Sequence, residues 1–376
     1  MAASPSPESR VPSPVFSAID HALMACALRL AERGLFTTQP NPRVGCVIAR
    51  GGEVIGEGWH KRAGEAHAEV FALRAAGERA CGATAYVTLE PCSHHGRTPP
   101  CADALIEAGI ARVVFASEDP NPKVAGAGIR RMREAGIEVA CGLMRDAARE
   151  LNRGFFARFE RGRPWVRVKL AMSLDGRIAL ANGESKWITG EAARADVQRW
   201  RARSSAILTG AGTARVDDPR LTVRIGEGEG LQPLRVVLDA RLDALQPGAH
   251  LLDGSTPTLV LHAPDARPKD DRYRHVELAE APVDAKDRID LAATLRLLAG
   301  RNANELQVEA GPNLCGALME QNLVDELLLY VAPTLLGDHA RPLLHAPALV
   351  SMTERRNWRV VDRRAIGHDQ RVLLRL

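Results

Sequence analysis

Four residues in the first third of the chain have the types needed to bind and use a metal ion. His67, Cys92 and Cys101 offer one imidazole and two thiolates, which is the ligand set of a catalytic zinc that keeps its fourth position open for water. Glu69 lies two residues past the histidine and is not needed as a ligand. A carboxylate beside an activated water can take its proton and pass it to a leaving group. The pattern predicts zinc-dependent hydrolysis with Glu69 as the catalytic proton carrier.

Two alternatives stay open for this cluster. H-x-E is frequent by chance, and the cysteines that follow it are what favour a catalytic site. His94 or His95, which lie between the cysteines, could replace Cys101 as the third ligand. Zinc could instead be structural, which requires a fourth protein ligand and leaves Glu69 without a role.

The surrounding elements must bring these side chains together. The run VGCVIARGGEVIGEGWH predicts a β-hairpin. Helices are expected to begin at His67 and, after a strand, at Cys92, and helix N-termini favour thiolate over thiol. Helices and strands then alternate through Cys141. We expect a three-layer α/β domain over residues 17–149.

The length of 376 residues allows a second domain. Residues 1–16, with MAASPSPESRVPSP, are expected to form a disordered tail. The composition turns charged over 150–163, which we interpret as a linker. Apolar runs such as SAILTGAG, LRVVLDA and LQVEAGP then alternate with helical stretches such as GEAARADVQRWRAR. A second α/β domain is therefore predicted over 164–376.

Composition limits the classes of partner. The formal net charge is +4, but the basic residues are scattered and only 4% of residues are aromatic, so we expect a small anionic substrate and no nucleic acid. No run approaches the roughly 20 apolar residues of a membrane span, so no membrane partner is expected. Seven cysteines, an odd number, favour a reducing compartment, and we expect the cytoplasm.

The spacing of the two cysteines is unusual. Zinc-dependent nucleoside and nucleobase deaminases carry H-x-E with P-C-x-x-C, whereas SHHGRTPP separates Cys92 from Cys101 here. With TTQPNPRVGCVI, GEGWHKRAGEAHAEV and EDPNPKVAGAGI, the first domain resembles the pyrimidine deaminases of riboflavin biosynthesis. The resemblance implies a cytidine-deaminase-like fold in which Asn41 and Asn121 border the pyrimidine and Arg97 meets the substrate phosphate.

The second domain carries a possible phosphate site. LQVEAGPNLCGAL predicts a strand, a turn and a helix whose N-terminus could bind phosphate, although a plain structural turn explains it more simply and there is no G-x-G-x-x-G. SLDGRIALANGESKWITG, ILTGAGTARVDDPRLTVR, VVLDAR and LYVAPTLLG resemble the reductase half of the bifunctional riboflavin enzymes, over about residues 164–340. That resemblance implies a dihydrofolate-reductase-like α/β fold.

The same resemblance assigns the residues of the second site. It implies that NADPH lies along Ala171, Trp187, Thr213, Asp217, Gly311, Pro312, Asn313, Leu314, Cys315, Gly316 and Ala317. It places the substrate against Ser185, Arg201, Leu221, Arg224 and Glu309. Two arginines suit a ribose phosphate and a carboxylate suits ribose hydroxyls. From the residues alone, Trp187 could be a core aromatic and Arg201 a solvated helix residue.

Together these features predict a bifunctional enzyme. The expected reactions are deamination of 2,5-diamino-6-ribosylamino-4(3H)-pyrimidinone 5′-phosphate with one zinc ion per chain, then NADPH-dependent reduction of the ribosyl group to ribityl. A homo-oligomer, dimer or tetramer, is expected. A deaminase acting on cytidine or RNA is the alternative within enzymes, and the long insert between the cysteines counts against it.

Overall fold

The computed structural model describes residues 15–93, 100–122, 124, 126–226 and 230–376. Its contacts divide the chain into two compact units. The first comprises the described residues through Thr38 together with Arg43–Asn152, and the second comprises Gln39–Pro42 and Arg153–Leu376. No helix in the described ranges is long and apolar enough to cross a bilayer.

The first unit alternates helices and strands. Its helices are α1 (Ala18–Glu32), α2 (Ala68–Ala76), α3 (Cys101–Glu107), α4 (Ala127–Glu134) and α5 (Arg145–Leu151). Its strands are β1 (Gly45–Arg50), β2 (Glu53–Trp59), β3 (Thr84–Val87), β4 (Arg112–Phe115) and β5 (Glu138–Cys141). The predicted hairpin is β1–β2, and it turns at Gly51 and Gly52, whose φ angles of 57° and 90° suit glycine.

In this described part the strands form one sheet in the order β2-β1-β3-β4-β5. β1 is antiparallel to both neighbours, and β3, β4 and β5 are parallel. Side chains of β1 alternate between two cores: Cys46 and Ile48 pack with α2, α3 and α4, whereas Val47 and Ala49 pack with α1 and α5. The predicted three-layer α/β domain is therefore confirmed.

The second unit is built on a larger sheet. Its helices are α6 (Arg153–Arg161), α7 (Glu191–Arg203), α8 (Ala211–Asp217), α9 (Leu291–Gly300) and α10 (Pro312–Glu320). Its strands are β6 (Trp165–Ser173), β7 (Arg177–Ala179), β8 (Ala206–Gly210), β9 (Leu234–Leu238), β10 (Thr258–His262), β11 (Glu277–Glu280), β12 (Glu305–Val308), β13 (Glu326–Ala332), β14 (Arg341–Pro342), β15 (Arg359–Ile366) and β16 (Asp369–Arg375).

Among the described residues of this unit the main sheet has the order β11-β10-β9-β8-β12-β6-β13-β16-β15. The first seven strands in that order are parallel, and β16 and β15 are antiparallel additions. α9 and α10 contribute to the largest core, and α7 packs against β13 and β16. Parallel strands present their carboxyl ends at one edge, where α/β proteins bind ligands.

The structure adds detail to the expected linker and corrects one predicted helix start. The range 150–163 contains α6, which buries Phe155, Phe156 and Ala157, so its charged residues belong to an amphipathic helix. The chain divides between units inside this range, after Asn152. The helix expected at Cys92 begins at Cys101 instead, with Pro100 at its N-cap position, where proline causes little loss because the first helical N–H groups lack partners.

Candidate active sites

Three side chains of the first unit meet as a metal-binding group. Cys92 Sγ lies 3.5 Å from His67 Nδ1, and Cys101 Sγ lies 3.3 Å from the same nitrogen. All three potential ligand atoms lie within 4.8 Å of one another. Tetrahedral zinc with bonds of about 2.3 Å to sulfur and about 2.0 Å to nitrogen separates these atoms by about 3.5 Å. The geometry therefore fits a zinc ion held by the three predicted ligands.

Each ligand is fixed by an element boundary. His67 is the N-cap residue of α2, and Cys101 is the first residue of α3. The Cys101 backbone N–H points at Cys92 Sγ at 3.4 Å, and the Ala102 N–H donates to the Cys92 carbonyl at 3.1 Å. The N-terminus of α3 thus holds the Cys92 segment and favours its thiolate.

Two glycines of β2 let α2 pack directly on the sheet. A Cβ added to Gly58 would lie 2.3 Å from the carbonyl oxygen of Ala68, and one added to Gly56 would lie 2.3 Å from that of Ala72. Real Cβ atoms do not approach so closely, so only glycine allows this spacing. The helix that begins with His67 is therefore fixed by backbone contact with the hairpin.

The protonation of the ligands follows from their mutual hydrogen bonds. Hydrogen bonds from Cys101 and from His67 lower the pKa of Cys92 to about 4. Hydrogen bonding to Cys92 in turn raises the pKa of His67 to about 9, and the Cys101 thiol, which shares its proton with Cys92, has a raised pKa. The site thus provides one thiolate readily, and a cation would be needed to favour the second.

Glu69 lies in the first turn of α2 and is 3% exposed. Burial raises the pKa of its carboxyl. Among the described residues its Oε2 atom has no hydrogen-bond partner. A buried carboxyl oxygen with a free lone pair, close to the ligand group, is placed to exchange a proton with a bound molecule.

Sequence reasoning gave no role to His60 and Glu90. The His60 ring packs edge-on against His67 with 5.3 Å between ring centroids, and it is 2% exposed. Glu90, also buried, accepts the backbone N–H groups of Asp119 at 3.3 Å and Gly126 at 3.2 Å. His60 lies in the quoted motif GEGWHKRAGEAHAEV, and Glu90 comes two residues before Cys92. Their types alone did not distinguish support of a ligand from ordinary packing.

Three further residues were predicted to contact the deaminase substrate, and the structure describes two of them, Asn41 and Asn121. Asn121 donates its backbone N–H to Asp119 Oδ1 at 2.8 Å, and burial raises the pKa of Asp119 to about 6. Asn41 belongs to Gln39–Pro42, which the contacts group with the second unit. Arg97 lies outside the described residues, as do the alternative ligands His94 and His95.

The second unit contains a cleft of about 1860 Å³. Most of the residues predicted for the reductase line it: Ala171, Ser185, Trp187, Arg201, Thr213, Asp217, Leu221, Arg224, Glu309, Gly311, Pro312, Asn313, Leu314 and Ala317. They come from the carboxyl ends of β6 and β12, from α7, α8 and α10, and from the loops before α7 and after α8. The cleft therefore lies where parallel sheets usually bind ligands.

Two predicted cofactor residues do not line this cleft. Cys315 is fully buried, and its thiol donates to the Ala310 carbonyl at 3.3 Å. Gly316 faces the backbone of His345, because an added Cβ would lie 1.8 Å from that carbonyl oxygen. Both residues therefore pack α10 against neighbouring parts of the unit.

The turn before α10 has the features of a phosphate-binding terminus. Gly311 is the N-cap residue and Pro312 opens the nine-residue helix. Gly311 donates its N–H to Thr213 Oγ1 at 3.0 Å, which joins this turn to α8. The remaining N–H groups of the first turn and the helix dipole favour an anion here.

Arg201 and Glu309 bind each other. Arg201 donates from Nε to Oε1 at 2.7 Å and from Nη2 to Oε2 at 2.8 Å, and both side chains are largely buried. Burial alone would raise the pKa of Glu309, but the Arg201 guanidinium outweighs it and the pKa falls to about 2. Arg201 is therefore not a solvated helix residue. Glu309 is an ionised acceptor at neutral pH.

The exposed aromatic of the cleft is Trp187. Its side chain is 70% exposed, and the Arg194 guanidinium lies 4.6 Å from the ring centroid. A core role for Trp187 is excluded by this exposure. An exposed indole face at the rim of a cleft is available for stacking on a planar ligand.

Lys169 is a cleft residue that the sequence motifs did not identify. It lies on β6, and burial lowers the pKa of its ammonium while the Glu309 carboxylate opposes that shift. Its position in the strand VRVKLAMS made it look like an ordinary break in an apolar run. Burying an unpaired lysine ammonium among apolar strands costs free energy. A lysine in an apolar strand was therefore the sequence signal that could have indicated a binding residue.

Comparison with known proteins assigns the family. Residues 164–371 match the model described as RibD C-terminal domain, and residues 17–117 match the cytidine and deoxycytidylate deaminase zinc-binding region. The Escherichia coli protein named "Riboflavin biosynthesis protein RibD" is 48% identical over 93% of this chain and 97% of its own length. The chain belongs to the RibD family.

Other RibD proteins agree with this assignment. The Bacillus amyloliquefaciens protein of that name is 45% identical over 85% of this chain and 86% of its own. The structure of Acinetobacter baumannii RibD, form 1, matches with a TM-score of 0.88 at 45% identity over 95% of this chain and 98% of that one. A Thermotoga maritima structure described as a diaminohydroxyphosphoribosylaminopyrimidine deaminase/5-amino-6-(5-phosphoribosylamino)uracil reductase matches with a TM-score of 0.84 at 33% identity, with 95% and 98% coverage.

Membership of the RibD family confirms the main predictions. The first domain is cytidine-deaminase-like and the second is dihydrofolate-reductase-like. The protein is a bifunctional enzyme of riboflavin biosynthesis with a deaminase and a reductase activity. A zinc-binding deaminase domain and a reductase domain imply zinc and a nicotinamide cofactor.

Proposed function

We propose that the first unit hydrolytically deaminates 2,5-diamino-6-ribosylamino-4(3H)-pyrimidinone 5′-phosphate. The second unit then reduces the ribosyl group with NADPH, giving 5-amino-6-ribitylaminouracil 5′-phosphate. The observation that carries the first step is the group of His67 Nδ1 with the Cys92 and Cys101 thiols, beside the free oxygen of Glu69.

In the deaminase site, His67, Cys92 and Cys101 hold one zinc ion per chain. When bound, zinc supplies an acidified water as nucleophile near neutral pH. Glu69 would take a proton from the attacking water and deliver it to the departing nitrogen, so that the water oxygen adds at C2, the C2–N bond breaks and ammonia leaves. Burial of Glu69 supports this role, since a raised pKa lets a carboxyl both accept and return a proton.

The pyrimidine is held by residues beyond the ligands. We assign Asn41 and Asn121 to the pyrimidine and Arg97 to the phosphate. Support for Asn121 comes from its turn, which Asp119 stabilises and Glu90 ties to the segment preceding Cys92. A substrate contact at Asn121 is thereby connected to Glu90 through two hydrogen bonds, and Glu90 lies two residues before Cys92.

In the reductase site, the substrate lies against Ser185, Arg201, Leu221, Arg224 and Glu309. Arg224 is exposed, but partial desolvation of its guanidinium, together with the positive charges of Arg201 and Arg220, lowers its pKa. Neighbouring guanidinium groups repel one another, and a bound anion relieves that repulsion. This electrostatic effect supports phosphate binding at Arg224. Glu309 accepts hydrogen bonds from ribose hydroxyls, and Lys169 donates to an acceptor on the substrate.

NADPH is assigned to Ala171, Trp187, Thr213, Asp217, Ala317 and the turn of Gly311, Pro312, Asn313 and Leu314. Reduction requires a hydride at the sugar carbon C1′ and a proton at the ring oxygen, and NADPH supplies the hydride. The N-terminus of α10 binds a phosphate of the cofactor, and the exposed Trp187 ring covers one of its planar groups. The chain's own residues thus place the cofactor against the sugar.

The assembly and compartment are part of the same proposal. We assign a homo-oligomer, dimer or tetramer, in the cytoplasm. All seven cysteines are free thiols, which is expected of a protein from a reducing compartment.

A two-part assay on zinc-loaded protein tests the proposal. Ammonia release from the diaminopyrimidinone ribosyl phosphate is measured without cofactor, and NADPH oxidation is measured with deaminated substrate. Glu69→Gln should lower ammonia release by about 100-fold or more and leave NADPH oxidation unchanged. Glu78→Gln, an exposed change in the same unit, is the control. Absence of ammonia from the unsubstituted, zinc-loaded protein would refute the deaminase assignment.

A further inference from the structure

The segment 221–224, which contains Arg224, has backbone geometry that needs support. Leu221 has a φ of 49°, and Asp218 shortly before it has a φ of 41°. Residues with a side chain rarely adopt this left-handed region, which costs on the order of 1 kcal/mol each. Such conformations persist where neighbouring contacts impose them, and these occur often at ligand sites.

Side chains supply those contacts. Thr222 O accepts from Arg201 Nη1 at 3.0 Å, and the Arg224 N–H donates to Gln198 Oε1 at 3.0 Å. Gln232 bonds Val223 twice: its Oε1 accepts the Val223 N–H and its Nε2 donates to the Val223 carbonyl, both at 2.9 Å. The segment is therefore held by side chains from α7 on one flank and by Gln232 on the other.

Gln198 is buried and lines the cleft. It is 8% exposed and lies one helical turn before Arg201 on α7, so the two side chains share a face of the helix. Arg201 is itself fixed by Glu309. Side chains from one face of α7 therefore bind the backbone of both Thr222 and Arg224. The position of that helix face determines the position of the Arg224 Cα atom.

We propose that Gln198 and Gln232 are positioning residues for phosphate recognition. They hold the backbone of Val223 and Arg224 so that the Arg224 guanidinium faces the substrate phosphate before the substrate arrives. Preorganised side chains lose less conformational entropy on binding, which raises affinity without any new contact. This inference rests on the proposed role of Arg224 in the reductase reaction.

The test compares two substrates on the full-length protein. Reductase kcat/KM is measured with 5-amino-6-ribosylaminouracil 5′-phosphate and with the same compound lacking the phosphate. Gln198→Met keeps the volume and removes the acceptor. It should lower kcat/KM for the phosphorylated substrate about 3- to 10-fold, through KM, and leave the dephosphorylated one within 2-fold. Gln246→Met, an exposed glutamine that does not line the cleft, should change neither.

A double-mutant cycle with Arg224→Gln decides whether the glutamine acts through the arginine. In the Arg224→Gln background, Gln198→Met should have no further effect on the ratio between the two substrates. An equal loss on both substrates, or the same loss with and without Arg224, would overturn the positioning role. If Arg224→Gln itself leaves the ratio unchanged, the phosphate assignment fails, and the positioning role fails with it.

Gln232→Ala provides an independent route. Gln232 is exposed, so its replacement leaves the core intact even if Gln198→Met fails to fold. The same selective loss on the phosphorylated substrate is expected, and it should also vanish in the Arg224→Gln background. A Gln232→Ala protein with unaltered discrimination between the substrates would contradict the proposal.

Discussion

At the scale of single residues, the reductase cleft contains a charge pair and a lysine whose roles differ. Arg201 and Glu309 neutralise each other through two hydrogen bonds. Lys169 lies within electrostatic reach of Glu309, and its buried surroundings lower its pKa. A partly satisfied ammonium facing a cleft gains more from a ligand acceptor than an arginine that is already paired.

Lys169→Met should therefore damage the reductase selectively. The methionine keeps most of the apolar stem and removes the donor, and the loss of a charged hydrogen bond predicts a fall in reductase kcat/KM of about 10- to 100-fold. Ammonia release by the deaminase should not change. Lys269→Met, at an exposed position, is the control. Unaltered NADPH oxidation in Lys169→Met would show that the ammonium does not contact the substrate.

At the scale of elements, a buried ion network joins three adjacent strands of the second unit. Arg167 on β6 donates to Glu305 on β12 at 2.9 Å and to Glu326 on β13 at 2.5 Å, and all three side chains are at most 1% exposed. Arg153 of α6 and Arg375 of β16 also bind Glu326. The network thus fixes the order and register of the central strands.

This network predicts acid sensitivity. Burial would raise the pKa of Glu326, but Arg167, Arg153 and Arg375 outweigh it, and the folded pKa is about 2 against an ordinary value of 4.5. A lowered carboxyl pKa stabilises the fold above about pH 4.5, and that contribution, roughly 3 kcal/mol, is lost as pH falls toward 2. Urea unfolding of the second unit between pH 7 and pH 2.5 measures it.

The matching variant is Glu326→Gln. It should be less stable than the unsubstituted protein by about 3 to 5 kcal/mol at pH 7, because buried guanidinium groups lose a carboxylate partner, and the difference should shrink as pH falls. Glu320→Gln, at an exposed helix end, should follow the unsubstituted curve. A constant difference across this pH range would show that Glu326 does not carry the acid dependence.

The elements also show how far sequence reasoning reached. Strands such as β8, β9 and β12 were predicted because they are continuous apolar runs. β15 was missed because, as an edge strand, it is largely exposed, has four charged residues among its eight and shows little apolar signal. The Arg201–Glu309 pair spans 108 positions, so residue types gave both as substrate contacts while their mutual bond needed the fold. The meeting of His67, Cys92 and Cys101 could be predicted because metal chemistry restricts types and spacing together.

At the scale of the whole molecule, each unit has its own apolar cores. The first unit has two, on opposite faces of its sheet, and the second has a large core around β6, β8 and β12 with smaller ones beside it. Units with separate cores can unfold in separate transitions, and a ligand stabilises only the unit that binds it.

Thermal unfolding should therefore respond to ligands one unit at a time. Removing zinc with a chelator should lower the transition of the first unit by several degrees, and saturating NADPH should raise that of the second, by RT ln(1 + [L]/Kd) in free energy. Calorimetry with and without each ligand measures both effects. If a chelator shifted only the transition that NADPH raises, the metal would lie in the second unit, and the assignment of zinc to the first unit would be refuted.

The grouping of Gln39–Pro42 with the second unit has a practical consequence for dissecting the two activities. The reductase unit is discontinuous along the gene, since four of its residues are encoded within the deaminase portion. A single cut after codon 152 yields a downstream fragment that lacks those residues and an upstream fragment that carries them without their packing partners. Separate expression of the two activities therefore calls for replacement of Gln39, Pro40 and Pro42 in the upstream fragment, with Asn41 kept for the deaminase, rather than a simple truncation.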